Sequence, residues 1–299
     1  MDVVTGAFGY TGRFITQRLL QSASVVRTLT NHPDRTNPFG EQVEVAPLAF
    51  DDRRALVASL RGVDVLYNTY WIRFARGDVT FDRAVRNTRH LVEAAVEAGV
   101  RRIVHLSIAH PESSSLPYFT GKARAEKLVV ESSVPYGIVR PTVLFGGGGV
   151  LINNIAWLLR RLPVFAIAGS GAYRIRPVDV DDVAAIAVAA GRRDDSVVLD
   201  AVGPETYTFE ELVGLIAATV GRRPVMVHVP PWVALALATV LGLLVRDVLV
   251  TGDELAGLVA ELVATDGPAT GTVRLSGWLA DHAGDVGREY ASELARHYR

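Results

Sequence analysis

Tyr118 and Lys122 stand four residues apart in Tyr118-Phe119-Thr120-Gly121-Lys122. That spacing puts both side chains on one face of a helix. A phenol with its ordinary pKa of ~10 is a poor base at neutral pH. A neighbouring ammonium favours the phenolate, so the pair is suited to exchange a proton with a carbonyl or alcohol oxygen. Ser107, eleven positions before Tyr118, closes a β-rich run. A hydroxyl there could orient the same oxygen. His110, three positions after Ser107, is a secondary candidate for a proton relay. His105, between Val104 and Leu106, reads as a packed sheet residue.

A second constellation opens the chain. Thr5-Gly6-Ala7-Phe8-Gly9-Tyr10-Thr11-Gly12 follows a short β run and leads into a helix. The first glycine permits a tight turn, the second lets backbone approach a pyrophosphate, and the third allows close helix–strand packing. Amides at the helix start then hold the anion. In this context the turn reads as a dinucleotide site rather than a structural turn, with Gly6, Phe8, Gly9, Tyr10 and Gly12 around the pyrophosphate. An acid at the end of the second strand would favour NAD. The chain has Leu29-Thr30-Asn31-His32-Pro33-Asp34-Arg35 there. Thr30, Asn31, His32 and Arg35 are candidates to surround a 2′-phosphate, so the reading leans to NADP over NAD, a solvated polar loop being the alternative. Phe50 and Asp51 are placed to flank the adenine. Asp51 serves equally well as the N-cap of a helix at Arg53.

Those residues need a scaffold. Predicted strands at Asp2–Thr5, Ser24–Thr30, Gln42–Leu48, Val63–Asn68, Arg102–Ser107 and Tyr136–Arg140 alternate with helical patterns. The helices are expected near Thr11–Gln21, Arg53–Leu60, Thr80–Ala98 (ending on Gly99) and Lys122–Glu131. Such alternation means crossover units on a parallel sheet. The expected fold class is α/β, a Rossmann-type doubly wound sheet, with a smaller, mainly helical C-terminal substrate lobe. The expected domains are residues 1–145 for the dinucleotide domain, with 172–202 returning to its sheet, and 146–171 plus 203–299 for the lobe. In the lobe the pattern predicts a loop at Gly146–Gly149 and a helix at Asn153–Arg161. Strands follow at Arg174–Val178 and Val197–Val202. Helices are expected at Phe209–Val220, Trp232–Val245, Gly252–Ala264 and Leu275–His297.

Composition narrows the function classes. The chain has 299 residues, no cysteine and a formal net charge of -1, so thiolate chemistry, disulfides and Cys-ligated metals are out. No long basic run points to nucleic acid. The N-terminus lacks the basic and apolar regions of a signal peptide, and a cytoplasmic protein is expected. Asp179, Asp181 and Asp182 lack metal-ligand spacing with other residues and read as first-turn acids of a helix; no metal is expected. Trp71, Arg73, Phe74 and Arg76 follow the fourth strand and are equally suited to contact a planar or anionic substrate or to form a solvated rim. Pro230–Val245 carries no charge and is too short to span a bilayer. A core helix is the favoured reading, with an apolar lid or a patch for membrane or partner contact as alternatives. The oligomeric state is left open.

The motifs together resemble the short-chain dehydrogenase/reductase superfamily in its extended and atypical branches. The resemblance rests on the glycine turn, Asn68 at the fourth strand's end, Asn87 in the next helix, Tyr118-x-x-x-Lys122 and Arg140-Pro141-Thr142. It also rests on Pro177-Val178-Asp179-Val180-Asp181-Asp182-Val183. Leu151–Arg161 resembles prokaryotic relatives of the complex I nucleotide-binding accessory subunit, near the NmrA-like group. The resemblance implies bound NAD(P), Tyr118 as acid/base, Lys122 on the nicotinamide ribose, and Ser107 as the orienting hydroxyl. Asn68 and Thr69 line the site beside them. The Ser107–Tyr118 interval is shorter than is usual in the superfamily. The expected function is an NAD(P)-dependent oxidoreductase or epimerase-type enzyme acting on a small-molecule carbonyl or alcohol. The alternative is a non-catalytic NAD(P)H-binding assembly or redox-sensor protein, in one version membrane-peripheral through Trp232–Val245.

Overall fold

The computed structural model describes residues 1–297. In chain order it runs β1 (Asp2–Thr5), α1 (Tyr10–Gln21), β2 (Val26–Thr30), β3 (Val43–Pro47), α2 (Arg53–Leu60), β4 (Val65–Asn68), α3 (Phe81–Ala98), β5 (Arg102–Leu106), α4 (Pro117–Val130) and β6 (Tyr136–Pro141). It continues through β7 (Val143–Phe145), α5 (Val150–Arg161), β8 (Val164–Ala168), β9 (Arg174–Ile175), β10 (Pro177–Asp179), α6 (Val180–Gly191) and β11 (Val197–Ala201). The remainder is β12 (Tyr207–Thr208), α7 (Phe209–Thr219), β13 (Val225–Val229), α8 (Pro231–Val245), α9 (Gly252–Val259), α10 (Leu275–Asp281) and α11 (Glu293–His297).

Two compact units share this chain. The first comprises residues 1–141 and 180–201, the second 142–179 and 202–299. The first unit carries a seven-stranded sheet in the order β11-β6-β5-β4-β1-β2-β3, with every neighbour parallel. Parallel strands need covered faces, and the strands are correspondingly apolar: Val3, Val4, Leu29, Leu66, Ile103, Val104, Ile138 and Val139 are all buried. One core joins Val3, Leu29 and Leu66 to Leu56 and Leu60 of α2 and Leu91, Val92 and Ala95 of α3. The α3 side chains recur at helical spacing. Thr80 caps the start of α3 through its side chain, and Gly99 ends it in the left-handed region at φ 73°, where glycine carries no steric penalty. Arg18 of α1 makes a two-pronged ion pair with Asp181 in the first turn of α6, both bonds 2.7 Å.

The second unit has three two-stranded sheets: β7 parallel to β10, β12 antiparallel to β9, and β13 parallel to β8. Its own core gathers Phe145, Ile152, Ile155 and Leu159 with Phe209, Leu212, Ile216, Leu275 and Leu279. Asn154 accepts from the Ala291 amide and donates to its carbonyl, both at 3.0 Å, which ties α5 to the chain near its end.

Several expectations need correction. The stretch 172–202 does not return whole to the central sheet. β10 pairs with β7, and only β11 joins the large sheet, so β7 falls in the second unit rather than the first. The helical reading after Pro204 missed β13, and β8 was missed before it. Gly252–Ala264 stops being helical at Val259. Leu275–His297 is two helices, interrupted by a segment with Gly287 at φ 72°. Asp52, not Asp51, caps α2, accepting from the Ala55 amide at 3.0 Å. The core reading of Trp232–Val245 fails: α8 buries only Gly242.

Candidate functional site

Strand order reverses between β1 and β4, and in open α/β sheets ligands bind outside the carboxyl ends at such a switch point. Both carboxyl ends are laced there by one hydroxyl. Thr5 Oγ1 lies 3.2 Å from Asn68 Oδ1 and accepts from the amides of Thr69 at 2.9 Å and Tyr70 at 3.1 Å. Thr69 Oγ1 donates to the Thr5 carbonyl. Thr5 was not singled out from the sequence as a site residue. Its only signal was its place at the head of the glycine motif.

The turn after β1 is built from glycine for visible reasons. Gly6 has φ 71°, and the Gly9 amide donates to its carbonyl at 2.8 Å. A Cβ on Gly12 would stand 2.2 Å from Gly6 O. Gly9 is the N-cap of α1 and makes no side-chain cap bond, and the first turn holds no acid. By contrast, Asp52, Thr80, Thr208 and Thr251 each cap a helix through a side chain. With no capping side chain at Gly9 and no acid in the first turn, the start of α1 suits an anion and fits a dinucleotide pyrophosphate. Phe8 and Tyr10 are half-buried beside it.

On the other side of the switch point, β5 and α4 bring Ser107 and Lys122 close. Lys122 is buried, and its Nζ donates to the Leu106 carbonyl at 2.8 Å. The ammonium also lies 4.7 Å from the centroid of the Trp71 ring, a cation–π distance. Burial pulls its pKa down to about 7, against the opposing pull of Glu126. Glu126 is itself buried and held by Arg140 through two bonds, of 2.9 and 2.5 Å. Asn68 lies 3.0 Å from His105 Nδ1 through its amide nitrogen. An amide nitrogen only donates, so Nδ1 accepts and the ring proton sits on Nε2. Burial, helped by Lys122, drives His105 down to about 3, so it is neutral and packed.

Tyr118 is half-buried at the start of α4. Its ring meets Trp71 edge-on at 6.3 Å and Phe81 at 5.8 Å, while Trp71 and Phe81 stack at 6.3 Å. A Cβ on Gly121 would come within 3.2 Å of the Trp71 ring, so the glycine between Tyr118 and Lys122 lets the indole close in. Phe81 gave no signal in the sequence beyond opening a helix. Three buried polar atoms at this edge have no protein partner: His105 Nε2, Ser107 Oγ and Trp71 Nε1. Buried polar groups are normally paired, so a bound polar ligand is the natural partner for such a cluster.

The remaining candidates are more scattered. Thr30 is buried, and its Oγ1 accepts from the His32 amide at 3.0 Å; Asn31 is exposed and Arg35 half-buried. Asp51 is exposed beyond the edge strand β3. Phe50 is buried against Tyr70, ring centroids 4.6 Å apart, so it is spent on the core. Tyr70 in turn accepts from Asn87 at 2.8 Å. His110 sits at φ 50°. Phe74 is buried, and Arg73 lies over its ring at 5.9 Å. Among the described residues no group of three or more His, Cys, Asp or Glu is placed to hold a metal ion.

Comparisons agree with this construction. The family model for NAD(P)H-binding proteins matches residues 6–153. A (4-alkanoyl-5-oxo-2,5-dihydrofuran-3-yl)methyl phosphate reductase of Streptomyces griseus is 34% identical over 231 residues, covering 74% of each chain. The mitochondrial NADH dehydrogenase (ubiquinone) 1 alpha subcomplex subunit 9 of Arabidopsis thaliana is 26% identical over 250 residues, covering 79% of this chain and 61% of the plant protein. The NADPH-dependent quinone oxidoreductase of Escherichia coli, solved with NADPH, superposes with a TM-score of 0.77 at 20% identity, covering 94% of this chain and 99% of that one. The glycine turn at the switch point, the parallel sheet around it and these relatives lead to one conclusion: the chain belongs to the NAD(P)H-binding family of oxidoreductases.

Proposed function

We propose that the protein is an NADP-preferring reductase or dehydrogenase of a carbonyl or secondary alcohol, with Tyr118, Lys122 and Ser107 as its reacting and orienting groups. The observation that carries this reading is the pairing of a partnerless, buried Ser107 hydroxyl with Lys122, which is anchored on the carbonyl of the preceding residue. The dinucleotide, when bound, supplies or accepts the hydride. Ser107 donates a hydrogen bond to the substrate oxygen. Tyr118 exchanges a proton with that oxygen as the carbonyl and alcohol interconvert. Lys122, titrating close to neutrality, binds the nicotinamide ribose and favours the phenolate when charged. Gly6, Gly9 and Gly12 hold the pyrophosphate, and Thr30, Asn31 and Arg35 the 2′-phosphate.

Trp71, Phe81 and Tyr118 give the site an aromatic wall. Such a wall fits a carbonyl set in a planar, conjugated or otherwise apolar molecule. The oxo-dihydrofuran named for the Streptomyces relative and the quinone named for the Escherichia coli neighbour are molecules of that kind. A second reading has one observation in its favour: the plant relative is named as a subunit of a respiratory complex. On that reading the chain holds NAD(P)H without using Tyr118. The deciding experiment is to identify any dinucleotide retained on purification and follow NADPH oxidation with a panel of conjugated ketones, lactones and quinones. Turnover of any of them supports the reductase. Tight dinucleotide retention with none turned over supports the second reading.

A further inference from the structure

The second unit carries a helix that breaks the usual rule for surface helices. A surface helix buries an apolar stripe and turns charged or polar residues outward. α8 has no charged residue over its 15 positions. Its outward side presents Trp232 (73% exposed), Leu237, Val240, Leu243 (74%) and Leu244 (76%). With Ala236 and Thr239, also exposed, these positions recur at helical spacing and form one continuous face. The only hydroxyl on it, that of Thr239, is satisfied within the helix, donating to the Leu235 carbonyl at 2.8 Å.

The ridge is fixed. Its start follows directly from β13, which pairs with β8 over five residues. Its end is pinned at Asp247, a buried carboxylate that accepts from the amides of Glu293 at 2.9 Å and Leu294 at 3.1 Å and from the Tyr290 hydroxyl at 3.0 Å. The Asp247 amide donates to the Gly242 carbonyl at 2.9 Å, and a Cβ on Gly242 would meet Asp247 O at 2.6 Å. A helix tied at both ends is a poor lid.

Charge selects the occupant. From Leu212 to Arg246 the chain contains no acid, and Arg222, Arg223 and Arg246 in this stretch are all exposed. Of the acids that flank this stretch in sequence, Glu210 lies 3.3 Å from His228, Glu254 accepts from Thr251 at the cap of α9, and Asp247 is buried. Asp253 is half-buried in the first turn of α9. An exposed apolar ridge that begins at a tryptophan, is capped by the exposed Arg246 and lies in a stretch of chain with arginines and no acid matches the boundary between headgroups and acyl chains of an anionic bilayer. The helix is ~22 Å long at 1.5 Å per residue, too short to cross a hydrocarbon core of ~30 Å. It can lie in the interface and cannot span it. We propose that α8 is the surface by which this protein seats on an anionic lipid membrane.

Flotation of the full chain with vesicles tests this. The protein should float with phosphatidylcholine–phosphatidylglycerol vesicles at low salt and less with phosphatidylcholine alone. Trp232→Phe should remove a blue shift of emission that the wild type shows on binding. Leu243→Glu with Leu244→Glu should lower partitioning by about tenfold or more, since charge opposes burial in the interface. The two side chains are exposed, so the thermal midpoint and the dinucleotide affinity should be unchanged. Arg222→Glu with Arg223→Glu should abolish the preference for the anionic vesicles, and added salt should do the same. Absence of flotation with either vesicle overturns the proposal. So does flotation that survives the double glutamate change. A concentration-dependent dimer dissolved by that change, with no vesicle binding, would assign the ridge to a second copy of the chain instead.

Discussion

Lys122 donates to the main-chain carbonyl of Leu106, the residue immediately before Ser107, at 2.8 Å. The lysine of the Tyr-x-x-x-Lys pair is thus positioned by the backbone of the strand that ends just before Ser107, the residue proposed to orient the substrate. Its burial has a measurable consequence. A lysine in the unfolded chain keeps its proton up to about pH 10.4, whereas Lys122 in the fold gives it up near about 7. Between those values the unfolded state binds more protons, so this group makes stability rise with pH. Lys122→Met removes that dependence. The stability of the wild type relative to Lys122→Met should therefore grow by roughly 2 kcal/mol from about pH 7 to about pH 9. Urea unfolding of both proteins across that range would show it, and a flat difference would contradict the burial argument.

The glycines of the turn should separate into two classes. Gly12→Ala forces a Cβ onto a main-chain oxygen that cannot move aside, so a loss of stability of about 2 kcal/mol or more is expected. A Cβ on Gly9 would stand 3.1 Å from Gly6 O, tight but short of the overlap at Gly12, so Gly9→Val should cost less stability while blocking the approach of the pyrophosphate. Melting curves together with calorimetric titration of NADPH distinguish the two. Undiminished affinity in a folded Gly9→Val protein would remove the pyrophosphate from this turn.

For cofactor choice, NADPH should bind more tightly than NADH, because no acid stands at the end of β2 to receive a ribose hydroxyl pair. Arg35→Ala should narrow the gap by about tenfold, the scale of one charge-assisted contact. Titrating both nucleotides into both proteins gives the answer directly, and a wild-type preference for NADH would reverse the assignment.

Tyr118→Phe keeps the ring and its edge contacts to Trp71 and Phe81 while removing the phenol. With a turned-over substrate in hand, kcat should fall by about 10²–10⁴, and dinucleotide affinity should hardly change. Lys122→Ala should lower both. Full activity in Tyr118→Phe would exclude its role in proton transfer.

The sheet was legible because its strands and helices alternate and each helix repeats its apolar residues at the right period. β8 and β13 were not. Each is a five-residue run that pairs with a partner some sixty residues away, and such short runs look alike in strands, helices and loops. α8 was misread for a physical reason: a helix apolar all round is usually buried, and nothing local reports that the outer side lacks a cover. Within the site, Tyr118 and Lys122 announced themselves by spacing. The Leu106 carbonyl could not, since every residue has one. Asp51 and Asp52 are indistinguishable as caps until the backbone chooses between them, and Phe50 looks free for a ligand in the sequence, whereas its ring packs at a tilt against Tyr70.

The ion pair between Arg18 and Asp181 joins residues 163 positions apart. α1, which begins at the glycine turn, packs on a helix made long after it, because residues 142–179 are threaded through the other unit first. During synthesis the nucleotide-binding unit therefore stays unfinished until α6 and β11 have left the ribosome. A chain halted before Val180 would leave the α6-facing side of α1 and the β11-facing edge of β6 uncovered. The birth of this fold is gated near its two-thirds point, and neither unit can be excised by a single cut.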